Sequence, residues 1–252
     1  MADLAPGMII KYFDEEYVDD FINKGVLHFS RLGTFIDLEG NDAIADAYEG
    51  AMVTNLSLSD PGVRVTIDGH EISPVKDERS NEITVAYTPE WVRKIGIVSL
   101  TNLLLNRDFE EAGFDKEKGI YTLKLKEAVI KGLEQISENH TRIPVLIDGK
   151  RLLKRLDSGF SSGINAQLGT VNYYDETQGE NIAFRDLESH PERVLFLKRK
   201  KYQYQREVRI VLFNEVPPEG KNIYLGNLSE ITYKLDKDRG IQSIGVQVRK
   251  SR

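Results

Sequence analysis

Apolar and polar positions change period several times along the chain, and each change marks an element. Residues 7–13, GMIIKYF, form a short apolar run that predicts a strand. Asp14-Glu15-Glu16 follows as the acidic first turn of a helix, with Tyr17, Val18, Phe21 and Ile22 on one face. Gly25, behind Asn23-Lys24, ends that helix in the left-handed conformation that glycine adopts without penalty. Val26–Ser30 is a second strand, so the chain opens with strand, helix, strand. Residues 41–50 then read as an acidic, turn-rich loop.

The remainder is dominated by strands. Val63–Ile67 and His70–Ser73 flank Asp68-Gly69, a pair suited to the type I′ turn of a hairpin. Further strands are predicted over 83–87, 95–100, 120–125 and 143–147, and in the last third over 194–197, 207–213, 223–225, 230–235 and 241–248. Residues 126–139 carry Ala128, Val129, Gly132, Leu133 and Ile136 at helical spacing, and Asp148-Gly149 reads as a second hairpin turn. Residues 157–181, rich in Ser, Gly, Asn and Thr, predict loops around one strand at 167–173 that open at low free-energy cost. No repeat, low-complexity tract or proline-rich linker divides the chain. The pattern predicts a single α+β domain over residues 1–252, mostly antiparallel sheet with a few helices.

Composition narrows the function classes. With 252 residues, 40% of them apolar and 29% charged, the chain can bury a core and is not of the disordered type. A net charge of −6 excludes a general polyanion binder, so any nucleic-acid contact must come from a local basic patch. The absence of cysteine excludes a disulfide framework, a thiolate metal site and a cysteine nucleophile. The histidines, His28, His70, His140 and His190, are too far apart in sequence for a metal-binding pair, so no metal is predicted. No basic leader is visible and no run approaches the ~20 apolar residues of a membrane helix. The expectation is a soluble, cytoplasmic protein with no membrane contact.

Several strings carry candidate chemistry. Gly159-Phe160-Ser161-Ser162-Gly163 matches a nucleophile elbow, but that motif needs a strand before it, and the preceding Lys150–Arg155 is charged and helical in pattern, so a loop is the better reading. Lys198, Arg199, Lys200, Lys201 and Arg206, interleaved with Tyr202 and Tyr204, suit either a polyanion contact or a solvated turn with its tyrosines packed on a sheet. Asp46, Glu49 and Gly50 place two carboxylates beside a glycine, a pattern commoner in capping turns than in acid–base sites. The strongest string is Tyr202-Gln203-Tyr204-Gln205-Arg206-Glu207-Val208-Arg209. Glu207 and Arg209 share one strand face there, either as a catalytic constellation or as a surface ion pair of small worth, while Val208, Ile210 and Leu212 face a core.

Two of these strings carry a resemblance. Leu27-His28-Phe29-Ser30-Arg31-Leu32 with Phe35 and Asp46, Glu49, Gly50 is one; Phe196, Lys198, Tyr202, Tyr204, Gln205, Glu207, Arg209 and Ile210 is the other. Together they resemble the DUF2971-type group of bacterial and phage proteins of unknown function, and the layout is similar in outline to ADP-ribosyltransferases. That resemblance implies NAD as substrate and no metal, with Gln205-Arg206-Glu207 as the Q-x-E string, Glu207 as catalytic carboxylate and Gln205 holding the incoming nucleophile. It implies a nicotinamide pocket framed by the opening strands, with Lys11, Tyr12, His28, Phe29, Ser30, Arg31, Tyr202 and Tyr204 as cofactor-binding candidates. An intracellular toxin or phage-conflict effector with an unidentified acceptor would fit. Gln178-Gly179-Glu180 is a second Q-x-E with no strand after it. The alternatives are an inactive nucleotide- or nucleic-acid-binding module, or an accessory protein that acts by protein contact. The transferase reading predicts that Glu207, Gln205, Tyr202 or Tyr204, His28, Ser30 and the Asp46/Glu49 pair converge on one cleft.

Overall fold

The apolar run at the start forms strand β1 (Met8–Phe13), and the acidic turn behind it opens helix α1 (Glu15–Lys24), which buries Val18 and Phe21 while Tyr17 stays exposed. Gly25 closes that helix at φ 67°, where a β-carbon would collide with the Gly226 backbone. Strand β2 (Val26–Arg31) and the short helix α2 (Leu32–Asp37) follow. The computed structural model describes residues 7–37, 46, 48–57, 65–67, 70–72, 82–137, 141–160, 164–175 and 189–249.

Two hairpins come next: β3 (Met52–Ser57) pairs with β6 (Glu82–Tyr87), and between them β4 (Val65–Ile67) pairs with β5 (His70–Ile72). The β4–β5 pairing is the one expected around Asp68-Gly69, although those two residues lie outside the described set. Helix α3 (Glu90–Arg93) leads into β7 (Ile95–Leu103) and helix α4 (Leu105–Asp108). Strands β8 (Phe109–Asp115) and β9 (Ile120–Leu125), helix α5 (Glu127–Ile136), strand β10 (Ile143–Asp148) and helix α6 (Gly149–Gly159) complete the middle. The last third holds β11 (Ala166–Thr170), β12 (Asn172–Tyr174), β13 (Leu197–Arg199), β14 (Glu207–Glu215), β15 (Lys221–Tyr224), β16 (Thr232–Lys234) and β17 (Gly245–Arg249).

The fold is α+β, mostly antiparallel. Its central sheet has eight strands in the order β11-β14-β7-β1-β10-β16, with β2 pairing both β7 and β15. The opening unit therefore packs beside β14 through β7, which lies between them. One face carries Ile9, Leu27, Phe29, Val208, Ile210 and Leu212 under α1 and α6, as the alternation predicts. The opposite face is also covered, by Leu195 and Phe196 at one end and by α5 at the other. Glu207 and Arg209 point into that second face, and both are buried. The surface ion pair anticipated for them does not occur.

Other expectations need correction. Residues 194–197 do not form a strand: Pro191 starts a 3-10 helix over Pro191–Phe196, and only Leu197–Arg199 is extended. Asp148-Gly149 is no hairpin turn, because Asp148 caps α6 by accepting from the Arg151 amide at 3.0 Å. Residues 157–181 are not simply loop: 157–159 end α6, and 166–170 form an edge strand of the central sheet, while 161–163 and 176–181 lie outside the described residues. The C-terminal strand begins at Gly245 rather than 241. Strand β8 was not anticipated, since FEEAGFD is acidic and its register shifts between Glu111 and Gly113, which breaks any alternation. Among the described residues no helix is long and apolar enough to cross a membrane.

Candidate active site

The central sheet is interrupted beside β7. Strand β1 pairs with β7 only as far as Ile10 opposite Thr101, and β2 joins it only at Ser30 opposite Ile97. Between those points Ser99 has no strand partner on that side. Asn102 donates to Arg206 O on the β14 edge, so strand alternation turns the Ser99 N–H and C=O the other way, into the gap. Continuing either register by two residues would place Tyr12 or His28 opposite Ser99. Ser99 is the sole exposed residue in an otherwise buried strand.

The gap opens into a cavity of about 580 Å3, within the ~300–1,000 Å3 usual for small-ligand sites. Lys11 and Tyr12 from β1, His28 and Ser30 from β2, and Ser99 and Thr101 from β7 form its walls. Gln205 and Glu207 line it from the start of β14, and Glu49 and Lys198 lie deeper. Asp14, Tyr17 and Arg142 stand at its rim, and Asn222 holds the exposed His28 through an Nδ1 contact of 2.8 Å. Asn222 lies opposite His28 in the β15–β2 register.

Four buried charges lie at the base of the cavity: Glu49, Lys198 and Glu207 line it, and Arg209 sits behind them. Glu207 accepts from Ser99 Oγ at 2.6 Å, Arg209 Nε at 2.7 Å and Lys198 Nζ at 3.0 Å. Glu49 accepts from Arg209 at 2.6 Å and pairs with Lys198 at 3.2 Å. Arg209 also donates to Leu195 O at 2.5 Å. Two carboxylates and two cations balance, which is the condition for keeping charge out of water. Burial opposes ionisation of Glu207, but Arg209, Lys198 and the Ser99 hydroxyl outweigh it and hold the carboxyl at about 2. Burial likewise opposes the charge on Lys198, and Glu207 and Glu49 more than restore it, raising its pKa. The Glu207 amide donates to the Tyr173 hydroxyl at 2.8 Å, and burial pushes that phenol up to about 12.

Backbone geometry aims the Q-x-E string. Gln205 ends a 3-10 helix over Lys200–Gln205, and Arg206 takes φ 48°, the one non-glycine residue with positive φ among those described. Such a conformation costs about 1–3 kcal/mol and needs fixing by its surroundings. Here Arg206 donates to Asp108 at 2.8 Å and to Tyr204 O at 2.8 Å, and Thr101 Oγ1 donates to Gln205 O at 3.0 Å. Burial works against the charge of Asp108, but Arg107, the Leu104 amide and Arg206 keep its pKa low.

Of the sequence candidates, Glu207, Gln205, Lys11, Tyr12, His28, Ser30 and Glu49 meet in this cavity. The others do not line it. Phe29 is buried in the core, Arg31 donates to Val216 O, and Tyr202 is buried with the Lys198 ammonium 5.1 Å from its ring centre. Tyr204 packs over Gly132 of α5. Asp46 pairs with Arg199 at 2.6 Å, and Gly50, at φ 63°, abuts Leu32 and Val92. The basic run is divided: Lys198 is buried, Arg199 meets Asp46 and Arg206 meets Asp108, while Lys200, paired with Asp175, and Lys201, 4.8 Å from the Tyr202 ring centre, stay exposed. Gln178-Gly179-Glu180 lies outside the described residues.

Sequence reasoning missed Ser99, Thr101 and Arg142. A serine and a threonine two apart in the apolar strand IGIVSLTNL were the available signal, since polar residues on one face of a buried strand need partners. No group of metal-ligating side chains occurs among the described residues. Comparison of the chain with family models, curated proteins and solved structures returned no match.

Proposed function

We propose that this chain is an ADP-ribosyltransferase-like protein that takes NAD into the cavity between β1 and β2, with Glu207 as the carboxylate beside the reacting ribose. One observation carries the reading: the Q-x-E pair opens β14 at a gap in the central sheet, against the Ser99 hydroxyl and the unpaired edge of β7. A carboxamide offers donors and an acceptor together, which complements a strand residue whose N–H and C=O are both unclaimed. Cleavage of the nicotinamide–ribose bond builds positive charge on the ribose, and a fixed carboxylate stabilises that charge. Glu207 stays ionised far below neutral pH, so it would present its charge throughout the physiological range. Gln205, two residues upstream, lines the same cavity and in this reading would orient the acceptor.

A second reading draws on the same floor. Both Glu207 oxygens already have cationic partners, an arrangement that also suits a module holding a nucleotide without chemistry. Calorimetric titration with NAD, followed by incubation with labelled NAD and a cell lysate, separates the two. Transferase activity predicts saturable binding and label transfer, with Glu207→Gln retaining binding and losing about 100- to 1,000-fold in rate. Binding without label supports the module. Absence of binding removes both.

A further inference from the structure

Two lysines line this cavity, and their surroundings push them in opposite directions. Lys198 touches two carboxylates and is locked as a cation. Lys11 is half-buried, and no carboxylate lies within ion-pair distance of it among the described residues; its ammonium instead lies 5.1 Å from the Phe13 ring centre. A second cation, Arg142, stands on the same cavity wall and is already matched to Asp14 at 3.6 Å. The other charged groups facing the space are Asp20 of α1 and the Glu49, Glu207 and Lys198 cluster, with His28 opposite. A half-buried amine near a cation, with no carboxylate at ion-pair distance among the described residues, is shifted towards its neutral form, which is the nucleophilic one.

We propose that Lys11 is a nucleophilic amine and that the cavity accepts a small carbonyl compound, an aldehyde by preference, which Lys11 binds as an imine. The nitrogen lone pair forms a bond to the carbonyl carbon, both amine protons pass to the carbonyl oxygen, and that oxygen leaves as water. The step needs no oxidant or reductant and no NAD. Opposed pKa values within one pocket commonly divide the roles of fixed charge and reactive base, and Lys198 and Lys11 divide in that way. Burial first, and Arg142 second, lower Lys11 to about 8 against a partial counter-effect from Glu207. At pH 7 about one Lys11 in ten is then neutral, against roughly one in 2,500 for an exposed lysine.

The test is reductive trapping on the intact chain. Propionaldehyde with sodium cyanoborohydride at pH 7 converts an imine to a stable propylamine, with hydride delivered to carbon and a proton taken from water. Peptide mapping by mass then reports each lysine. Lys11 should be alkylated at least 10-fold faster than Lys24 and Lys131, exposed residues whose carboxylate partners raise their pKa. Its rate should climb with pH and level off near 8. Lys11 reacting no faster than those two overturns the proposal. Lys11→Arg should leave the labelling of Lys24 and Lys131 unchanged, and the wild-type map stands even if that variant folds poorly. NAD is absent from the assay, so failure of ADP-ribosyl transfer leaves this result intact, and a negative result here leaves the transferase reading intact.

Discussion

At the scale of single residues, the Glu49–Lys198–Glu207–Arg209 cluster sets both stability and chemistry. Each member is satisfied by the others, so removing one strands a buried charge. Arg209→Met leaves two buried carboxylates facing one cation and should cost about 3–5 kcal/mol. Urea denaturation measures this, and a loss below 1 kcal/mol would show the cluster to be solvated. Glu207 gives the cluster a pH signature. Its folded pKa of about 2 lies below the ordinary 4.5, so its contribution is complete above pH 4.5 and is lost as pH falls towards 2. The depression corresponds to about 3 kcal/mol. Glu207→Gln should flatten the acid limb of the stability profile between those pH values. An identical acid limb in the two proteins would contradict the assignment.

At the scale of elements, chain reversals are decided by one or two residues each. Gly25 ends α1 with a positive φ, and a β-carbon there would lie 2.3 Å from Gly226 O. Gly25→Ala combines left-handed strain with that clash and should cost about 1–3 kcal/mol. Asp148→Ala removes a single capping bond from α6 and should cost about 1 kcal/mol. Thermal denaturation of the pair should rank Gly25→Ala as the more damaging. The reverse order would mean that the β15 connection yields to make room. The Asp148-Gly149 dipeptide also shows how local signals mislead: the same two residues serve a hairpin turn or a helix start, and the amphipathic stretch behind them selected the helix.

At the scale of the whole molecule, strands from the first and the last third of the sequence enter one sheet. Strand β15 pairs with β2 and β16 pairs with β10, while β14 and β1 flank β7. Neither third can release its strands without exposing edges of the other, so unfolding should be a single cooperative event. The one tryptophan, Trp91, sits in α3 just ahead of β7. Its fluorescence change and the far-ultraviolet dichroism of the sheet should share one denaturant midpoint. Two separated midpoints would show that the two thirds unfold independently.

Periodicity alone determined much of this. Strand β1, helix α1 and strand β2 lie where the apolar spacing puts them, and Val208, Ile210 and Leu212 face the core as alternation requires. The Q-x-E string stands ahead of a strand, as read. These are local properties, carried by side chains a few residues apart. The cavity is not local. It exists because β1 and β2 leave β7 at different points, a matter of register between strands some 70 to 90 residues apart in sequence. Whether Lys198 belongs to a basic surface or a buried cluster depended on Glu49 and Glu207 arriving beside it, and on the 3-10 helices that turn it inward. Charge, burial and partner are properties of the assembled sheet, so Lys198, which reads as solvent-facing in one dimension, joins a charge-balanced buried cluster in three, while Lys200 and Lys201 of the same string stay exposed.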